Sequence, residues 1–123
     1  MKVKIDTKEI FHVITIEEPV LSANMTEEVQ QTLLSFLNAP IKNVIMNMGN
    51  VNEIDDAMAQ TLVIIQQTFY DANSSLVICN LKKEIEKNLD EKEFLELMNV
   101  TPTESEGWDI IQMEEIEREI GNI

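Results

Sequence analysis

Apolar residues recur along this chain with two periods, and the switching between them predicts a sheet with helices laid against it. Val3 to Asp6 and Phe11 to Glu17 read as strands joined by the short polar turn Thr7-Lys8-Glu9. In the second, Phe11, Val13, Ile14 and Ile16 mix alternation with a continuous apolar run, the mark of a strand buried on both faces. Glu18-Pro19 breaks that strand. Met25, Val29, Leu33, Phe36 and Leu37 then follow helical spacing, with Asn24 as the expected N-cap and Pro40 as the stop. Val44 to Met48, closed by Gly49, predicts a central strand. A polar loop, Asn50 to Glu53, leads into a helix whose inner face holds Met58, Leu62, Ile65 and Phe69.

The second half repeats the theme. Leu76 to Cys79 predicts another central strand, and Lys82 to Met98 one helix or two short ones, with Ile85, Leu89, Phe94, Leu97 and Met98 facing inward. Asn99 to Thr101 is expected to form a short edge strand, because Pro102 stops it. Thr103 and Glu106 form a capping-box pattern for a last helix carrying Trp108, Ile111, Ile116 and Ile120. Strands alternating with helices imply an α/β fold with parallel pairings. With 123 residues there is room for one core, so residues 1–123 are expected to form one domain.

Charge narrows the partners. Asp and Glu number 23 against 9 Lys and Arg, a net charge of −14, so phosphate backbones and anionic membrane surfaces would be repelled. Nucleic acid is therefore not an expected partner, and a basic protein surface is compatible. No apolar run approaches the ~20 residues that cross a bilayer, and Met1-Lys2-Val3-Lys4 has no signal-peptide core. Direct membrane insertion is not expected. The lone Cys79 cannot form an internal disulfide and suits a reducing compartment, so a cytoplasmic location is expected.

Candidate chemistry is sparse, and an enzyme is not expected. His12 is the only histidine; it sits inside a strand without an evident Ser or Cys partner and reads as an edge-strand or half-buried residue. Cys79, Trp108 and the methionines read as core filling. The three glycines are scattered, so no phosphate-cradling loop forms. Glu53, Asp55 and Asp56 make the one compact acidic cluster. Carboxylates at that density suit a hard cation such as Mg²⁺, but their order matches no EF-hand. Helix capping is the preferred reading: Asp55 as N-cap and Asp56 in the first turn both favour the positive end of a helix dipole. No metal and no cofactor are expected.

The segment running from Val44 through Gly49, Asn52, Glu53, Asp55, Asp56, Ala57 and Met58 to Ala59 resembles the signature of STAS domains, found in bacterial anti-sigma factor antagonists and in the tails of sulfate transporters. There a buried strand leads through a short loop into Asp-Ser-Ser-Gly, or a close variant, and then a helix. Ile14 to Asn24, Leu76 to Asn80 and Thr103 to Gly107 resemble further family elements in the right order. The resemblance implies a single STAS-like domain: a mixed sheet of four or five strands flanked by about four helices. It also implies a non-enzymatic, protein-binding regulator whose partner is an anti-sigma factor with a kinase-like fold. In regulatory members the Ser after the Asp is phosphorylated, which switches binding off through charge and bulk at a helix N-terminus.

This sequence departs from that pattern. Asp55 keeps the first position, but Asp56 replaces the phosphorylatable Ser, Ala57 the second Ser and Met58 the Gly. Asp56 is then either a fixed mimic of the phosphorylated state or a contact to which the partner has co-adapted. The expected docking surface comprises Asn52, Glu53, Asp55, Asp56, Ala57, Met58 and Gln60. An alternative is an accessory subunit of a transport assembly or a small-ligand module, favoured if Met46, Met48 and Met58 line an open groove.

Overall fold

The computed structural model describes residues 1–121. In chain order they form β1 (Val3–Thr7), β2 (Phe11–Ile16), β3 (Val20–Leu21), α1 (Thr26–Leu34), β4 (Asn43–Asn47), β5 (Glu53–Ile54), α2 (Asp56–Asp71), β6 (Leu76–Cys79), α3 (Lys83–Glu91), β7 (Val100–Thr101) and α4 (Glu104–Gly121). Short 3-10 turns at Ala23–Met25, Ser35–Asn38 and Leu95–Leu97 finish the connections. The main sheet has five strands in the order β1-β2-β4-β6-β7; β1 is antiparallel to β2 and every other pair is parallel. The expected α/β class and mixed sheet are observed.

Register follows from the apolar runs. Val13, Ile45 and Val77 stand side by side across β2, β4 and β6, and the next row is Ile14, Met46 and Ile78. Because successive side chains point to opposite faces, the first row builds one core and the second row another. The larger core joins Ile14, Met46 and Ile78 to Leu33, Met58, Leu62, Ile65, Phe69 and Leu89 from α1, α2 and α3. The smaller joins Phe11, Val13, Ile45, Val77 and Cys79 to Ile111 of α4. Three helices therefore cover one face and a single helix the other. At the edges, β1 carries exposed Lys4 and Asp6, and β7 stops after two residues at Pro102, which guards both edges against further pairing.

Several sequence expectations are corrected. Asn24 does not cap α1: it lies in a 3-10 turn, its side-chain oxygen takes the Ser22 hydroxyl, and Met25 occupies the cap position without a side-chain bond. Lys82 to Met98 is one α-helix and a 3-10 turn, with Leu97 exposed while Met98 is buried. Trp108 and Met113, read as core filling, are exposed, and Ile116 and Ile120 are exposed with them. Helix phase is the reason: α4 meets the sheet through Ile111 and Gly107, whose added Cβ would meet Val77 Cγ1 at 3.3 Å and Ile45 Cδ1 at 3.4 Å, and Ile116 and Ile120 lie roughly 140° and 180° around the helix from Ile111. Ile111 is buried on the sheet side, and half-buried Ile110 packs against the same core. His12 is in an interior strand, not at an edge; its Nε2–H donates to the Ile41 carbonyl at 2.9 Å, leaving Nδ1 to accept from the Thr7 hydroxyl at 2.9 Å.

Candidate functional site

The loops after β2, β4 and β6 all emerge at the carboxyl end of the parallel strands, the usual place for a functional site in such sheets. The chain leaves β4 through a tight turn in which Gly49 N–H donates to Asn47 Oδ1 at 2.9 Å and Val51 N–H to the Met48 carbonyl at 3.0 Å. Val51 is fully buried and anchors the turn. The next residues run parallel to the segment after β2. Asn52 N–H donates to the Pro19 carbonyl at 2.7 Å, and β3 and β5 pair as Val20 with Glu53 and Leu21 with Ile54. Two residues per strand leave no hydrophobic period to read, so this small sheet was not visible in the sequence.

Asp55 closes the construction. Its Oδ1 accepts from Met58 N–H at 2.9 Å, the N-cap bond of α2, and its Oδ2 accepts from Ala23 N–H at 2.6 Å. Its own N–H donates to the Leu21 carbonyl at 3.2 Å. One carboxylate thus satisfies an orphan donor of α2 and ties that helix to the turn before α1. Both oxygens are committed to backbone donors, as the capping reading requires. Among the described residues no three His, Cys, Asp or Glu side chains are grouped to hold a metal ion.

Around this fixed turn, Asn52, Glu53, Asp55, Asp56, Ala57 and Gln60 are exposed on one continuous surface. Met58 is not part of it. Its side chain is fully buried, so it supports the surface from beneath. Met46 and Met48 are fully buried as well, and no methionine-lined groove opens here. What the sequence did not reveal is the contribution of α3. Lys82, at its N-cap, donates to Asn52 Oδ1, and Lys92, at its C-cap, forms an ion pair with Asp56. Lys92 is held by a Schellman motif in which Glu93 takes the left-handed conformation (φ 63°) and Phe94 N–H reaches the Leu89 carbonyl at 2.9 Å. Ile64, one turn beyond Gln60, is the third residue missed; it is 55% exposed and continues the same face of α2. Its phase, off that of Met58, Leu62, Ile65 and Phe69, was the available signal.

The STAS domain family pattern matches residues 2–107. The chain belongs to the STAS domain family. No curated protein matches it in sequence. Among solved structures, a variant of RsbS from Moorella thermoacetica shares 18% identity over 96% of this chain and 99% of that one, with a TM-score of 0.73. The anti-sigma factor antagonist SpoIIAA in its unphosphorylated form, known from Bacillus, shares 12% over 90% and 96%, with a TM-score of 0.69. The murine Slc26a9 anion transporter shares 14%, with 88% of this chain matching 18% of the transporter at a TM-score of 0.70. At these identities the likeness is one of fold. No helix among the described residues is long and apolar enough to cross a membrane.

Proposed function

We propose that this STAS domain is a non-enzymatic regulatory module acting in the cytoplasm, and that it docks a protein partner through the turn and exposed face at the start of α2. The partner best suited is an anti-sigma factor with a kinase-like fold, the role suggested by neighbours described as anti-sigma factor antagonists. One observation carries the reading. Asp55 and the β3–β5 pair hold Asn52, Glu53, Asp56, Ala57 and Gln60 rigidly at the surface, and no chemistry within the site demands that rigidity. A preorganised surface binds without a large ordering cost. The alternative of a ligand-binding transport module loses its supporting feature with the burial of Met46, Met48 and Met58.

Asp56 occupies the place of the phosphorylatable serine, and residues 52–60 contain no Ser, Thr or Tyr. Incubation with a kinase-fold anti-sigma factor and ATP is expected to leave this segment free of stable phosphate. Lys92 already answers the Asp56 charge within the chain, which favours a co-adapted contact over a blocking mimic. The test is calorimetric titration of the kinase-fold anti-sigma factor encoded in the same genome, at low and high salt. Asp56→Ala is expected to weaken binding by ~0.2–1 kcal/mol, as for an exposed charge, and Ile64→Ser to weaken it by more than ~1 kcal/mol. Tightening in Asp56→Ala and Asp56→Ser would establish the mimic reading instead. Affinity unchanged in all three variants would remove the docking surface from α2 altogether.

A further inference from the structure

Helix α4 carries apolar side chains on two sides. Gly107 and Ile111 press against the sheet, and Arg118 turns inward to donate to Ser75 Oγ at 3.1 Å. Met113, Ile116 and Ile120 point the other way, and are 56%, 55% and 64% exposed. Their spacing of three and four residues places them in one stripe roughly 60° wide, at about 100° per residue. Single exposed apolar residues are ordinary, but a stripe in helical register is how a helix presents itself to another helix. Among the described residues nothing covers it.

The charges around the stripe select what would. Glu106, Asp109, Glu117 and Glu119 are exposed on the same outer half of α4, and its one basic residue, Arg118, is turned away. A second copy laid along the stripe would set these carboxylates against their own kind, on a chain of net charge −14. Helices that lie on lipid carry Lys and Arg on their polar face, the reverse of this pattern. A helix with an apolar seam flanked by Lys or Arg satisfies both the stripe and its rim. We propose that the outer face of α4 docks a basic amphipathic helix of a partner protein. This surface belongs to the helix on the opposite face of the sheet from α2.

A synthetic 18-residue helical peptide, with leucines in its seam and lysines on both flanks, is the probe. Titration into the ¹⁵N-labelled protein is expected to give saturable shift changes along α4 and none in α2. Anisotropy of the labelled peptide is expected to show affinity at least tenfold weaker for the double variant Ile116→Ser/Ile120→Ser. Glu117→Gln/Glu119→Gln should weaken it several-fold and flatten its salt dependence. These side chains are exposed, so circular dichroism and melting temperature should match wild type and show the fold intact. Shift changes on α2 or spread over the acidic surface, or affinity unchanged in the serine variant, would overturn the proposal. So would a dimer in sedimentation equilibrium, or flotation with phosphatidylglycerol vesicles, that the serine variant abolishes.

Discussion

On one face of the sheet, α1, α2 and α3 enclose a core that runs from Ile14 through Met46 to Phe69; on the other, α4 alone covers Phe11, Val13, Ile45, Val77 and Cys79. The first face is filled by large side chains meeting from several elements. The second is closed by proximity, with Gly107 against Val77 and Ile45, and by polar bonds at its rim. There Asn43 donates to Glu115 at 2.9 Å and to the Ile10 carbonyl at 3.0 Å, and Arg118 bonds Ser75 and Glu115. The difference separates two jobs. The crowded face lies beneath the α2 turn, and the thin face is expected to yield first, with α4 opening before that turn.

The sharpest test compares the two cores directly. Phe69→Ala is expected to cost about 3–5 kcal/mol and to lower the whole unfolding transition, read by urea denaturation. Ile111→Ala is expected near the low end of ~2–5 kcal/mol, with α4 amides exchanging hydrogen before those of α2. Equal losses in one cooperative transition would break the comparison. Gly107→Leu should act on the thin face alone, displacing α4 at a cost of about 1–3 kcal/mol while α2 amides keep their protection.

Smaller effects sharpen the picture at the site and the rim. Asp55→Ala should cost ~0.5–2 kcal/mol, toward the upper end because two backbone donors lose their acceptor, whereas Asp55→Asn should retain most of the cap. At the rim, the hydrogen bonds from Asn43 and Arg118 hold Glu115 below its ordinary value of 4.5. A lowered carboxylate contributes stability that is present above that value and lost as pH falls through the folded one. Glu115 is partly exposed, so the contribution should be no more than about 0.5 kcal/mol. Stability curves of wild type and Glu115→Gln should therefore differ slightly at neutral pH and converge in acid.

Much of the fold was legible because its strands announce themselves. Val44 to Met46 and Leu76 to Cys79 are continuous apolar runs between polar residues, as expected of strands buried on both faces. The cap at Asp55 was legible for a similar local reason. The pairing of β3 with β5 was not, since it rests on backbone bonds between segments 33 positions apart, as Val20 is from Glu53. Lys82 and Lys92 reach Asn52 and Asp56 only once α3 is docked, and no spacing encodes that. The reading of α4 failed instructively. Hydrophobic spacing marks a helix with an apolar side, but α4 has two, and the one that meets the sheet is the side of Gly107 and Ile111.

Beneath that helix, Cys79 keeps time. Its thiol is fully buried in the thin core, and burial, with the negative charge of Glu104 adding to it, pushes its pKa up to about 12. A thiol-specific dye, which needs a reachable thiolate, reacts only during the moments when the protein opens. Its labelling rate against temperature or denaturant therefore counts openings. If α4 lifts by itself, the count will exceed what global unfolding allows; if the molecule opens only as a whole, the two will agree. A single buried sulfur, inert in the closed state, thus becomes a clock that tells which layer of the protein moves first.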